Sequence, residues 1–146
     1  MTKREIMERA HELARTMKGD YSARLVVALR QAWMEARLLE VGSLWEKHGY
    51  RRIYFNDLAA WYGLEYNTYN TGNISNAWVD GERVSNSEGR RILGRLAGAK
   101  VWYDLTDGKF HGKVNRQEDF ERIVERIKEG AKVGVKREQG RRESAA

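Results

Sequence analysis

The chain has 146 residues, 41% of them hydrophobic and 33% charged, which predicts one compact domain with a packed core. It contains no cysteine, which excludes disulfides, thiol catalysis and cysteine-bound metals, and it has no apolar run of about 18 residues that would suggest a membrane span. Its 27 basic and 21 acidic residues leave a net charge of +6, which favours polyanion partners such as nucleic acid. The charged amphipathic start is not a secretion signal, so we expect a cytoplasmic protein. We also expect no cofactor.

The N-terminal part predicts two helices that pack as an antiparallel hairpin. Apolar residues at spacings of three and four indicate a helix over residues 3–17, which ends near Gly19. Asp20 is placed to cap a second helix over residues 21–46, whose wide apolar stripe indicates burial on more than one side. This hairpin could also serve as an oligomerising module and support a homodimer.

The remaining sequence predicts short strands and helices. In chain order these are a strand over 51–55, a helix over 58–62, an Asn- and Tyr-rich loop over 64–76, a hairpin over 77–85, a helix over 87–98, a second hairpin over 100–111, and a final helix capped by Asn115.

These elements predict an α+β fold in which the N-terminal helical hairpin packs with a small antiparallel sheet and two or three further helices. We expect a single domain over 1–128, with the hairpin in 1–48 and the mixed part in 49–128. A flexible basic tail is expected over 129–146.

Candidate catalytic groups are few. Asp104, Asp107 and His111 flank a predicted turn, where they could hold a divalent metal or act as a base with its orienting group. The same residues are also ordinary turn and strand residues, and no phosphate-binding loop or nucleophile motif is present. We therefore expect a non-enzymatic protein, with a metal-dependent nuclease or hydrolase as the alternative.

The strongest binding signal combines basic and aromatic residues. Arginine neutralises phosphates, tyrosine stacks on bases, and asparagine can read base edges. A solvated helix face beside ordinary turn asparagines is the alternative interpretation, and the five tryptophans are interpreted mainly as core. The candidate binding residues are Arg90, Arg91 and Arg95 on one predicted helix face, Arg83 and Lys100 beside that helix, and Tyr66, Tyr69 and Asn73 in the preceding loop.

The predicted second helix contains the segment Ala28-Leu29-Arg30-Gln31-Ala32-Trp33-Met34-Glu35-Ala36-Arg37. This segment resembles a recurring helix of small Firmicutes phage and mobile-element proteins, which reads A-L-x-x-A-W-x-E-A-R/K. The resemblance extends over residues 3–112 and implies an accessory protein that acts in the host bacterial cell without catalytic residues. Such proteins are often anti-defence factors, including anti-CRISPR inhibitors, so the implied partner is nucleic acid or a nucleoprotein effector. The segments that carry the resemblance are Tyr21–Arg37, Lys47–Leu58, Gly72–Ser75, Gly81–Glu82, Val84–Ser87, Tyr103–Asp104 and Gly108–Phe110.

Overall fold

A computed structural model describes residues 1–133 and confirms the α+β class. Within this range no helix is long and apolar enough to cross a membrane. The predicted tail therefore lies outside the described residues from position 134 on, whereas residues 129–133 continue the last helix. The elements are α1 (Lys3–Arg15), α2 (Tyr21–Val41), β1 (Ser43–Lys47), β2 (Tyr50–Phe55), α3 (Leu58–Tyr62), β3 (Leu64–Thr68), β4 (Ile74–Val79), β5 (Glu82–Val84), α4 (Asn86–Leu96), β6 (Lys100–Asp104), β7 (Lys109–Lys113) and α5 (Gln117–Val133).

Residue contacts divide the described residues into two compact units. The single domain expected over 1–128 stays a prediction. Among the described residues, the first unit contains residues 1–43 and 128–133, and the second contains residues 44–127. Helix α5 contributes residues to both units. The boundary after Ser43 lies five residues before the predicted end of the helical hairpin.

The first unit is built on the predicted helical hairpin. Thr2 caps α1 in a reciprocal capping box with Glu5, which satisfies backbone donors at the helix start. The interface between α1 and α2 is made mostly of alanines, so the two backbones approach closely. Its fully or largely buried members are Ile6, Ala10, Ala14, Ala28, Ala32 and Ala36.

A buried ion pair crosses this interface. The Arg9 guanidinium donates to both carboxylate oxygens of Glu35, at 2.8 and 3.2 Å, and the Glu35 side chain is fully buried. Further along α1, the backbone oxygen of Ala14 accepts a hydrogen bond from Arg24 near the start of α2. The two contacts together show that residue numbers rise along α1 as they fall along α2. The helices are therefore antiparallel, as predicted.

The predicted second helix was too long. Helix α2 ends at Val41, because Gly42 adopts an extended conformation with φ −127° and ψ −176°. The following residues form β1, which turns into β2 through His48 and Gly49, both with positive φ. Two such residues form the tight turn whose twist matches a hairpin.

The second unit contains a four-stranded sheet in the order β1-β2-β6-β7. Strands β2 and β6 pair antiparallel, as do β6 and β7, and the latter pair is the predicted second hairpin. One sheet face is buried and carries Ile53 and Tyr103. At Gly112 on β7, an added Cβ would lie 2.8 Å from the Phe120 ring, so a glycine lets α5 lie close against this face.

A three-stranded sheet in the order β3-β4-β5 completes the second unit. The predicted turn at Asp80 and Gly81 is present, and both residues have positive φ. The predicted loop over 64–76 is partly wrong, because Leu64–Thr68 pairs with β4 as strand β3. Helix α4 packs on β4 so closely that a Cβ on Gly89 would lie 2.7 Å from the Ala77 methyl group.

Ion pairs fix α5 to the turn between β4 and β5. Asp80 accepts from the Arg126 guanidinium at 2.5 and 2.8 Å and from Arg122 at 2.7 Å. Arg122 also donates to the backbone oxygen of Tyr62 and lies over its ring. Helix α5 begins at Gln117. Asn115, the predicted cap of this helix, uses its side-chain amide to donate to the backbone oxygen of Arg95.

Candidate functional site

The outer face of the four-stranded sheet carries a continuous row of rings. Trp45 contacts Tyr54 edge-on with centroids 5.9 Å apart, and Tyr54 lies 5.7 Å from Trp102. Trp102 in turn stacks on His111 at 6.0 Å. Tyr50 stacks beside Trp45 and is 51% exposed, which makes it the most accessible ring of the row. We call these five side chains the aromatic platform.

The Arg52 guanidinium lies within the aromatic platform. Its carbon is 4.5 Å from the Tyr50 centroid, 4.8 Å from Trp102 and 5.9 Å from Trp45, distances typical of cation–π contacts. It donates to the Tyr54 hydroxyl at 3.0 Å. That hydrogen bond raises the pKa of Arg52 more than burial lowers it, so the group stays cationic. The guanidinium therefore covers part of the Tyr50 and Trp102 rings and fixes a positive charge among them. Tyr54 and Trp102 are half-buried, whereas Trp45 and Tyr50 are the exposed rings of the platform.

Lysines border the aromatic platform. Side chains alternate across a strand, so Lys100 shares the outer face with Trp102, and Lys109 and Lys113 share it with His111. Lys100 and Lys113 are direct cross-strand partners and both are exposed. Like charges opposite each other destabilise a sheet, and a bound phosphate would relieve that repulsion.

A groove of about 560 Å³ adjoins the aromatic platform and shares Tyr54 with it. Its walls include Tyr66 and Lys100, two of the predicted binding residues, together with Asn56 and Asp57 at the start of α3. Tyr66 is 40% exposed. The structure thus brings one predicted aromatic and one predicted cation together in a groove that leads from the platform.

A second, shallower groove of about 370 Å³ adjoins the first, because Leu93 and Ala97 line both. It brings together two more predicted residues, Arg90 and Asn73. Tyr69 lies nearby in the chain, in a turn closed by its backbone N–H to the Asn73 oxygen, and is 59% exposed.

The other predicted arginines have partners within the protein. Arg95 donates to both oxygens of Asp119 at 3.0 and 3.4 Å, and its side chain is only 16% exposed. Arg91 pairs with Glu88 at 3.3 Å on the helix surface. The expected face of three free arginines is therefore not formed, because Arg95 points towards α5.

Arg83 lies on strand β5 of the three-stranded sheet and is not among the lining residues of either groove. Its guanidinium donates to the Asn76 side chain at 2.8 Å and lies 5.4 Å from the Trp78 centroid. It remains exposed, but these contacts are those of a cross-strand structural residue.

The three candidate metal ligands do meet. One ligand atom from each of Asp104, Asp107 and His111 lies within 4.8 Å of the others. His111 and Asp107 are 2.7 Å apart, while Asp104 and Asp107 also accept backbone N–H groups of the turn. Burial raises the pKa of Asp107, but the bonds from His111 and the Lys109 N–H outweigh it and lower that pKa overall. These contacts orient His111 against Trp102.

Sequence reasoning missed most of the aromatic platform. Trp45 falls at the end of the predicted helix over 21–46, and Trp102 is one of the tryptophans interpreted mainly as core. The available signal was the alternation of Tyr50, Arg52 and Tyr54, which places three ring or cationic side chains on one strand face.

Comparison of the chain with protein-family models, with curated proteins and with solved structures found no match.

Proposed function

We propose that this chain binds single-stranded nucleic acid through the aromatic platform and its bordering lysines. The observation that carries the proposal is the row of rings with Arg52 among them on an otherwise solvent-facing sheet surface. Bases in a single strand have free ring faces, and aromatic side chains stack on them whatever their sequence. The surface thus suits an unpaired strand better than a duplex, whose bases are already stacked.

The lysines supply the second part of the binding free energy. Phosphates along a bound strand displace condensed counterions when they meet Lys100, Lys109 and Lys113, and this release favours binding at low salt. The Asp104 carboxylate lies opposite Arg52 in the strand register, which keeps the centre of the surface from being uniformly positive. Stacking then determines the position of the strand, and lysines determine most of its salt dependence.

The resemblance to phage accessory proteins gives the proposal its sharpest biological form. In that form the bound strand belongs to a nucleoprotein effector of a host defence system, and the protein acts in the host cytoplasm as a non-enzymatic inhibitor. Anti-CRISPR activity is one such role. The support for this form is the sequence resemblance, whereas the support for strand binding is the geometry of the sheet face.

Titration of fluorescein-labelled 12-mers of thymidine and of uridine, followed by anisotropy, tests strand binding and compares DNA with RNA. The double variant Lys100→Glu/Lys113→Glu should weaken binding of at least one strand more than tenfold, because two phosphate contacts become repulsive. The matched control Lys3→Glu/Lys18→Glu changes two exposed lysines in the first unit and should stay within twofold. Absence of binding to both strands, or equal losses in the two variants, would refute the proposal.

A metal-dependent nuclease is the second candidate, because Asp104, Asp107 and His111 offer ligand atoms in one place. A strand held on the aromatic platform would pass beside this cluster, since His111 belongs to both. Melting temperatures with Mg²⁺, Mn²⁺ or Zn²⁺, together with a cleavage assay on the same 12-mers, decide between the two candidates. Metal-dependent cleavage that Asp107→Asn abolishes would favour the nuclease.

A further inference from the structure

One wall of the groove beside the aromatic platform carries two polar side chains, one of them acidic. Asn56 and Asp57 line it, and neither side chain has a hydrogen-bond or ion-pair partner within residues 1–133. Asp57 is at the N-cap position of α3, yet it makes no capping bond and adopts a left-handed conformation with φ 57° and ψ 54°. An aspartate at a cap normally satisfies a helix N–H. Here its carboxylate remains available to the groove.

The other side chains that line the groove are aromatic, apolar or positively charged. Tyr54 and Tyr66 contribute rings, Leu93 and Leu96 contribute apolar surface, and Lys100 places a cation at the same groove. Rings and apolar surface suit a flat base, and a nearby lysine suits the phosphate attached to it. The volume of about 560 Å³ is ample for one nucleotide.

We propose that this groove binds a base of the strand and prefers guanine. This inference rests on the proposed function, because the base reaches the groove as part of a strand that crosses the aromatic platform at Tyr54. A carboxylate only accepts hydrogen bonds. Guanine is the base that presents two neighbouring donors, N1–H and N2–H, and Asp57 accepts from both. The Asn56 amide donates to guanine O6, which completes the base edge.

The other bases fit this pair of side chains less well. Adenine and cytosine each place a ring-nitrogen acceptor next to their amino group, so an acceptor would face the Asp57 carboxylate. Thymine and uracil offer one donor between two carbonyl acceptors. Each of these edges leaves a repulsive contact that guanine lacks, which is the usual basis of discrimination between bases.

The test uses labelled 12-mers in which thymidine alternates with guanosine, adenosine or cytidine, beside the 12-mer of thymidine alone. Wild-type protein should bind the guanosine strand about tenfold more tightly than the others. Asp57→Asn should abolish this preference, since the amide group presents a donor to guanine, so the guanosine and thymidine strands should bind this variant with equal affinity. Asparagine adopts left-handed φ and ψ readily, so the variant should fold.

The matched control is Asp20→Asn, because Asp20 is also an exposed N-cap residue without a capping bond. It should retain the guanine preference, and Asn56→Ala should reduce it as an independent check. If all strands bind equally to the wild type, or if Asp57→Asn keeps the preference, the guanine site is overturned while strand binding stands. If no strand binds at all, the proposed function fails and the guanine site fails with it.

Discussion

The Arg52 guanidinium lies over the Trp102 ring, with its carbon 4.8 Å from the ring centroid. The Nε atom of Arg52 and the indole Nε1 of Trp102 are both buried without a hydrogen-bond partner within residues 1–133. Ring faces and the Tyr54 hydroxyl therefore hold this cation in place. A charge fixed in this way keeps the neighbouring rings ordered, so less side-chain entropy is lost when a base stacks on them.

Tyr50→Ala should weaken binding of a thymidine 12-mer about tenfold, because stacking on one aromatic ring contributes roughly that much. Tyr50 is 51% exposed, so its removal should leave the fold unchanged. The control is Tyr21→Ala, which removes a 45% exposed tyrosine from α2 in the first unit. Anisotropy titration measures both variants, and equal affinity of Tyr50→Ala and wild type would remove this ring from the site.

Arg95→Ala should lower the free energy of unfolding by about 3 kcal/mol, because it leaves the Asp119 carboxylate without its guanidinium in a buried position. Arg91→Ala on the same helix should cost less than about 0.5 kcal/mol, since Arg91 is 65% exposed. Urea unfolding measures the difference. Similar stabilities of the two variants would show that Arg95 is not a structural residue.

Two alanine substitutions in α4 should have opposite effects. Gly89→Ala places a methyl group 2.7 Å from the Ala77 methyl group and should destabilise the protein by about 1–3 kcal/mol. Gly94→Ala meets no atom within 4 Å and should stabilise it by about 0.5–1 kcal/mol through helix propensity. Thermal unfolding that shifts in the same direction for both would contradict the close packing of α4 on β4.

The free energy of unfolding should fall in acid, in part because the Asp80 carboxylate becomes protonated. Hydrogen bonds from Arg126 lower the pKa of Asp80, more than burial raises it, and Arg122 lowers it further. A lowered native pKa means that the unfolded chain takes up the proton first. Asp80 therefore contributes stability above its unfolded pKa of about 3.9, and this is lost as the pH falls from there through the native value.

Asp80→Asn measures this contribution, because asparagine fits the left-handed turn before Gly81 but cannot form the ion pairs. The variant should be less stable than wild type at pH 7. The difference between their free energies of unfolding should become smaller below about pH 4. Urea unfolding at pH 7, 4 and 3 gives the comparison. A gap that stays constant over this range would show that the ion pairs contribute nothing.

The sequence carries enough information for the elements that depend on local signals. The turns at Asp80 and Gly108 follow from short-range chemistry and lie within the hairpins predicted over 77–85 and 100–111. Helix α3 has the predicted bounds of 58–62, because Gly63 ends it in a left-handed conformation. The end of α2 was missed because Ser43–Trp45 continues an apolar helical pattern, and only pairing with β2 makes it a strand. Strand β3 was missed for the same reason, since its order depends on backbone bonds to β4.

The candidate site was predicted in part. Tyr66 and Lys100, two of the predicted binding residues, line one groove, and their role in binding stays a prediction. Arg95 could not be assigned, because its partner Asp119 lies 24 residues further along the chain and no local pattern joins them. The aromatic platform depends on the pairing of β2 with β6, which brings Tyr54 opposite Trp102.

The central claim is that a single strand binds on the outer face of the four-stranded sheet. The most direct test is the indole N–H spectrum of the five tryptophans, recorded by ¹⁵N NMR during titration with a thymidine or uridine 12-mer. We predict that the signals of Trp45 and Trp102 shift or broaden in proportion to bound strand, while that of Trp33 in the first unit does not. Unchanged Trp45 and Trp102 signals at saturating strand would contradict the claim.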